Sequence, residues 1–529
     1  MNKILTTIFA ACALTFCACT GDLDQQPHTS TSATAGQVYG SEQGYKQALA
    51  KLYASYIIAG QGKGGSDQDM SSNSGQDLLR AYINMQEIPT DEMAATWLSG
   101  DNVANLTYMT WDANDPWVAD IYYRTYYTIT LCNEFLTHAT EGAVSGNANM
   151  TAYRAEARFL RSLAYWIILD LFGQGPFVDE NTGIGSYTPE CYDGAKLFDF
   201  IESELLAITA DDGTGLLDPD EVEYGHASKG AALALLARLY LNAEVYGAGA
   251  HYTECIGACN DILAMNYSLE SDYKKLFNAD NFKRTNEIIF SLVSDAENTV
   301  TWGAMTYLVC GQCTNLTTLG QSPEDYGIVS GWGMFRARGE LPELFAGAED
   351  SDQRRLFYTG GTPQWFTGSI DNQEEGWYVE KFSNLTDEGK ASSNTVDGGA
   401  DTDFPFFRLA EVKLTLAEAV LRGGTGATRT QATQAVNDVR QRAFGDDSGN
   451  INEAQLTLDF LLAERGRELY WECSRRTDLV RFGRFAGGDY IWQWKGGMLD
   501  GVAVDEKYNI YPIPSAELSA NPNMKNPLY

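Results

Sequence analysis

The chain has 529 residues, 44% of them hydrophobic and 20% charged, with a formal net charge of −34 at pH 7. That much apolar material can fill a large core, while an acidic surface with no compensating basic block excludes nucleic acid as a partner. Aromatic residues reach 12%, with 29 Tyr and 11 Trp, side chains suited to surfaces that are partly apolar and partly hydrogen-bonding.

The N-terminus opens with Lys3 and an apolar run from Ile4 to Leu14. The run is too short for a permanent membrane helix, which needs ~20 residues, and it reads as the core of a secretory signal. Phe16-Cys17-Ala18-Cys19 comes next. Small residues ahead of a Cys look like a bacterial lipobox, with cleavage before Cys19 and lipidation of Cys19 itself. Residues 1–18 are then a leader and 19–40 a polar, acidic tether. No later stretch is apolar enough to span a bilayer, so lipid is the expected membrane link.

Beyond the tether, apolar residues at helical spacing dominate the chain. Helices are expected over 42–58, 120–136, 155–171, 195–208, 228–245 and 252–264. The third ends at Gly173-Gln174-Gly175-Pro176, a strong stop. Residues 60–75 are rich in Gly and Ser and read as an exposed loop. From about 270 to 404 the chain turns to Gly, Thr, Asn, Ser and aromatics, with short β-like runs such as 287–292. This reads as an irregular, loop-dominated insert, where binding usually resides. Helices return over 407–421, 430–443 and 456–471. The expected class is mostly α: stacked helical hairpins similar to tetratricopeptide repeats, with a loop-rich half. Residues 41–529 make one domain, its helical scaffold spanning 41–265 and 405–485 and its loops about 60–118 and 270–404.

Cys310 and Cys313 form a lone Cys-Gly-Gln-Cys with no second pair, which argues against structural zinc and leaves a local disulfide or two free thiols. Cys255 and Cys259 read as buried thiols. Glu464, Arg465, Arg467, Glu468, Arg475, Arg476, Asp478 and Arg481 alternate in sign along a helix and its exit. Helical spacing and the guanidinium fork make an ion-pair network that knits helices together. Glu411 and Glu418, seven apart on one face, serve the same packing.

Several segments in order carry a family resemblance: Ala155-Glu156-Ala157-Arg158-Phe159-Leu160-Arg161; Leu235-Leu236-Ala237-Arg238-Leu239-Tyr240-Leu241; Phe407-Arg408-Leu409-Ala410-Glu411; Glu464-Arg465 with Arg467-Glu468-Leu469; and the ending Tyr511-Pro512-Ile513-Pro514. Together, behind a lipobox, they resemble the SusD/RagB family of outer-membrane nutrient-binding lipoproteins of Bacteroidetes. The resemblance implies about four tetratricopeptide-like hairpins, a lipid-anchored position on the cell surface, and a SusC-like TonB-dependent transporter as partner. It also implies capture of oligosaccharide for that transporter, with peptides as the alternative cargo of some members.

Sugars offer apolar C–H patches ringed by hydroxyls, so their sites need flat aromatic faces with Asp, Asn or Gln nearby. The candidates sit in loops: Trp97 with Asn102, Asp67 and Asp69 upstream, Trp302 and Tyr307 beside the Cys pair, Trp332 between Gly331 and Gly333, and Trp365. For each Trp, core or loop packing is the alternative reading. No catalysis is expected. The four His show no HExxH, and there is no Gly-x-Ser-x-Gly elbow or phosphate loop. A glycoside hydrolase, the remote alternative, would need a carboxylate pair that 71 acidic residues make uninformative. No cofactor is expected, although calcium is compatible with the Asp67–Asp69 loop, which lacks EF-hand spacing.

Overall fold

The computed structural model describes residues 34–62, 68–70, 76–183, 188–210, 212–392 and 399–529. The leader, Cys19, most of the tether and Asp67 lie outside the described residues. The chain divides into two compact units, Met1–Ala50 and Lys51–Tyr529. In the first, a short turn of helix at Ala35–Val38 precedes α1, Glu42–Ala54, which runs across the boundary.

The second unit is built from helices, most of them where the apolar spacing places them. They are α2 (Leu78–Glu87), α3 (Pro116–His138), α4 (Ala148–Phe172), α5 (Gly194–Ile208), α6 (Lys229–Leu241) and α7 (Tyr252–Leu263). After them come α8 (Ala304–Gly311), α9 (Leu409–Leu421), α10 (Arg429–Phe444), α11 (Leu458–Leu469) and α12 (Arg475–Arg481). Their ends are chemically marked. Asp115 caps α3 by accepting from the Trp117 and Val118 amides, with Pro116 at the first position. Asn147 caps α4 at the start, and Gly173 closes it in the left-handed conformation, φ +63°. Consecutive helices joined by short loops pack together as hairpins: α3 with α4, α6 with α7, and α9 with α10. Helix α9 also packs on α7 and α11, linking the hairpins. Toward α10 and α11 its contact is apolar, with Ala410, Leu414 and Ala417 clustered with Ala432, Val436 and Val439 of α10 and Leu461 of α11.

Two expectations need correcting. Helix α2 falls inside the 60–118 stretch read as loop. Its ten residues are all buried, and the polar Arg80, Asn84 and Glu87, which helical spacing puts on one face, meet protein and not solvent. The insert is also less irregular than its composition suggests. It contains α8 and supplies strands for three small antiparallel pairs. In one, β1 (Met93–Ala95) pairs with β3 (Phe335–Ala337); in another, β2 (Ile288–Leu292) pairs with β4 (Phe404–Arg408); in the third, Phe357–Tyr358 pairs with Tyr378–Val379.

The alternating charges do form a buried network. Glu464 on α11 accepts from Arg354 (2.8 Å), Arg440 (2.6 Å) and Arg467 (2.7 Å). One turn on, Glu468 meets Arg354 (3.1 Å), Arg408 (2.5 Å) and Arg442. Arg481 of α12 binds Glu418 of α9 at 2.6 Å, and Arg238 of α6 holds Glu411 with two bonds of 2.5 and 2.8 Å. These carboxylates are interhelical fasteners, each satisfied by a planar fork.

Candidate functional site

The β1–β3 ribbon positions the site. Ala95 lies opposite Phe335. Thr96 extends the pairing by one residue, donating its amide to Met334 O (2.9 Å) and its hydroxyl to Gly333 O (3.0 Å). Trp97 and Trp332 therefore leave the same end of the ribbon on facing chains. Their rings stack with centroids 6.2 Å apart and planes 25° apart. Trp302 joins from the segment ahead of α8, 6.1 Å from Trp332 with a 46° tilt. Three of the residues expected from sequence thus form one arc of indoles, with Trp332 in the middle. Trp97 is 38% exposed, and the other two are half-buried.

Each ring is held by the backbone beneath it. Carbonyls at the end of α8 receive the Trp332 strand: Cys310 O accepts from the Trp332 amide (2.8 Å), Cys313 O from Gly333 (2.6 Å) and Gly311 O from Met334 (2.9 Å). The Cys-Gly-Gln-Cys segment serves as this cradle, and both of its cysteines are buried. Glycines flank Trp332 because the cradle leaves no room. A Cβ on residue 331 would stand 2.7 Å from Cys313 O, and one on residue 333 would stand 2.7 Å from Gln373 Oε1.

Trp302 is fixed from below by two residues of α2 and its cap. Asp77 accepts from Thr301 Oγ1 (2.9 Å) and the Ala304 amide (3.2 Å), and Arg80 donates to Trp302 O (2.6 Å). The same guanidinium pairs with Asp101 at 2.5 Å and lies 4.0 Å from the Tyr307 ring centroid. Asp101 in turn donates its amide to Trp97 O (3.0 Å), which ties the outer ring to the inner one. Burial keeps the Asp77 carboxyl above its ordinary pKa despite those hydrogen bonds.

The remaining candidates take other places. Tyr307 is fully buried, its hydroxyl bonded to Asn84 Oδ1 (2.7 Å) and its own pKa pushed up by burial. It supports Arg80 from inside and presents no face to solvent, which corrects its reading as a contact residue. Asn102 is exposed, next to Asp101 in a left-handed turn, φ +55°. Trp365 is 39% exposed but lies flat against Gly339, beyond the far end of β3 from Trp332, and does not join the arc. Asp69 is committed to Lys51 (2.5 Å), and it hydrogen-bonds Tyr127, whose hydroxyl is pushed up to about 12 by burial and by Asp69. Among the described residues, no group of three or more His, Cys, Asp or Glu is arranged to hold a metal ion. Sequence reading missed Asp77, Asn84, Arg80 and Asp101, whose only local signal is an Arg inside the apolar Leu78-Leu79-Arg80-Ala81-Tyr82 run.

Known proteins share this architecture. A family profile described as the SusD family matches residues 348–529. Over 96% of its length the chain is 33% identical to the starch-binding protein SusD of Bacteroides thetaiotaomicron, covering 95% of that protein. The chain belongs to the SusD family. A SusD-like protein of Bacteroides ovatus is 24% identical over 72% of this chain and 69% of its own. Among solved structures, a SusD superfamily protein of Bacteroides thetaiotaomicron superposes with a TM-score of 0.69 at 20% identity, covering 91% of this chain and 98% of that one. The surface glycan-binding protein A of the same organism, in complex with laminarihexaose, gives 0.68 at 18% identity over 92% and 100%. The last two show the fold. The stretch matched by the SusD family profile holds most of the buried ion network, whereas Trp97, Trp302 and Trp332 all precede it. Among the described residues, no helix is long and apolar enough to cross a membrane.

Proposed function

We propose that this SusD-family chain is a cell-surface lipoprotein that captures a neutral glucan of the starch type on the Trp97–Trp332–Trp302 arc. It passes the glucan to a SusC-like TonB-dependent transporter in the outer membrane. The observation that carries the reading is the arc itself: three indoles about one sugar ring apart, their planes turned by 25° and then 46°. A flat, ribbon-like glycan stacks best on coplanar rings, whereas a chain that coils, as α-1,4-linked glucose does, presents successive faces at an angle. The net charge of −34 disfavours anionic polysaccharides. A relative 33% identical is named for starch binding. Lipidation at Cys19 accounts for membrane attachment, and the domain then runs from about residue 41 to the end. Both named binding relatives are described as binders, and we read the arc as a surface that holds its ligand without turning it over.

Native gels cast with amylopectin, and calorimetry with maltoheptaose, test this. The unaltered protein should be retarded by amylopectin. Trp332→Ala removes the central ring and both stacking contacts. Binding should weaken at least about tenfold, roughly 1.4 kcal/mol, with the far-UV spectrum unchanged. Retardation by laminarin or binding of an oligopeptide, with none by amylopectin, would reassign the cargo.

A further inference from the structure

A second hollow lies on the helical side of the molecule and shares no residue with the arc. It is walled by the loop ahead of α6, the segment just after α7 and the approach to β2. An outer chamber of about 500 Å³ is lined by Asp218, Asp220, Asn266, Asn286 and Tyr267. An inner one of about 200 Å³ is lined by Tyr224, His226, Ser228, Ser291 and again Tyr267. Pro219, Tyr267 and Thr285 border both chambers, so the two meet around the Tyr267 ring. We infer that this hollow is a second saccharide site, taking a short stretch of the same neutral glucan; the assignment rests on the reading of the chain as a glucan binder.

The chemistry of the lining selects the ligand. Tyr267 and Tyr224 offer aromatic surface, and Tyr224 is 39% exposed. Its ring is immobilised at both ends, edge-on to Phe282 at 6.2 Å and hydrogen-bonded through its hydroxyl to Asp403. A rigid ring costs little entropy on binding. Around these rings stand carboxylates, carboxamides and hydroxyls, the groups that accept from and donate to sugar hydroxyls. Neither chamber is lined by Lys or Arg. His226, the basic group present, has its Nδ1 2.7 Å from Glu156. Uronic, sulfated or phosphorylated sugars would meet carboxylates with no counter-charge, so a neutral sugar is the class that fits. The combined size falls in the range of small-molecule sites, ~300–1,000 Å³. A polymer long enough to touch both the arc and this hollow gains avidity that a short oligosaccharide cannot.

The test uses the full chain with Trp97→Ala and Trp332→Ala together, which disables the arc. Maltotriose is the probe, followed by saturation-transfer NMR, with amylopectin gels alongside. The double variant should keep a weak maltotriose signal. Adding Asn266→Trp, whose new indole fills the outer chamber, should abolish that signal. Asp220→Trp across the same chamber is a companion variant, and circular dichroism checks the fold of each. In the otherwise unaltered chain, either substitution should reduce amylopectin retardation about threefold. Loss of all maltotriose signal in the arc double variant, while the unaltered chain binds, overturns the second site alone. A residual signal that survives both Trp substitutions places the sugar elsewhere and also overturns it. Failure of the unaltered chain to bind amylopectin or maltotriose overturns this site and the starch reading together.

Discussion

Gly333 holds φ +59° beneath the central indole, and a Cβ added there would stand 2.7 Å from Gln373 Oε1. Gly333→Ala is disfavoured twice: the left-handed conformation costs an L-residue about 1–2 kcal/mol, and the Gln373 amide must move. The strand enters the Cys310–Cys313 cradle through this residue, so the strain should be relieved by turning Trp332 away from Trp97. The expected outcome is a folded protein whose near-UV indole signal changes and whose maltoheptaose affinity falls about tenfold. Unchanged affinity would show that Trp332 is positioned by its ring contacts alone. At this scale the sequence revealed the aromatic partners but not what holds them. Trp332 between two glycines, and Trp97 beside Gly100-Asp101-Asn102, advertise themselves because nothing bulky nearby can bury them. Arg80 and Asp77 do not, because their partners lie more than two hundred positions away, at Thr301 and Trp302. Tyr307 looked like Trp302 in composition and was separated from it only by burial.

Among the elements, α11 bears the densest load. Glu468 receives three guanidiniums, from the 354 loop, β4 and α10. Glu468→Gln keeps the shape and removes the charge, leaving those cations short of a partner in the interior. Breaking one side of such a buried cluster costs about 3–5 kcal/mol, and a lowered midpoint in guanidinium chloride at constant slope would register it. Glu388→Gln is the control, since Glu388 and its partner Lys390 are each 75% exposed; that change should stay within about 0.5 kcal/mol. A small shift for Glu468→Gln would mean that water or the neighbouring Glu287 takes over the charge. The hairpins were legible because each has one apolar face and marked ends: the periodicity around 155–171 and the Gly173 stop give α4 almost whole. Helix α2 is short and closely follows the Gly/Ser-rich 60–75 stretch, which masks its polar stripe of Arg80, Asn84 and Glu87. Strands β1 and β3 are three residues each and pair across more than two hundred positions, too short to show an alternation.

Across the whole molecule, two sets of buried carboxyls pull stability in opposite directions with pH. Burial alone would raise Glu468, but Arg442, Arg408 and Arg354 outweigh it and hold the group at about 2; Glu464 is held low in the same way. Unfolding returns these groups to their ordinary 4.5. Their contribution is complete above that value and is lost as pH falls toward 2. The second set is raised. Burial lifts Glu92 to about 8 against the pull of Arg475, Glu340 to about 7, and Asp403 to about 7. In the unfolded chain these release protons near 4, while the folded chain keeps them to 7 or 8, so their contribution is complete below the ordinary value and is lost as pH rises through that window. Melting temperature should therefore peak near pH 5 and decline on both sides. The surface charge of −34 adds self-repulsion to the alkaline limb. Salt separates the two causes, since the screening length shrinks from about 8 Å at 0.15 M to about 3 Å at 1 M and acts on exposed charges far more than on buried ones. The decline between pH 5 and 8 should persist in 1 M NaCl, and Asp403→Asn, which cannot ionise, should shallow it. A flat profile over that range in high salt would mean that Glu92, Glu340 and Asp403 ionise in the folded protein as easily as in the open chain. The slope would then belong to the surface.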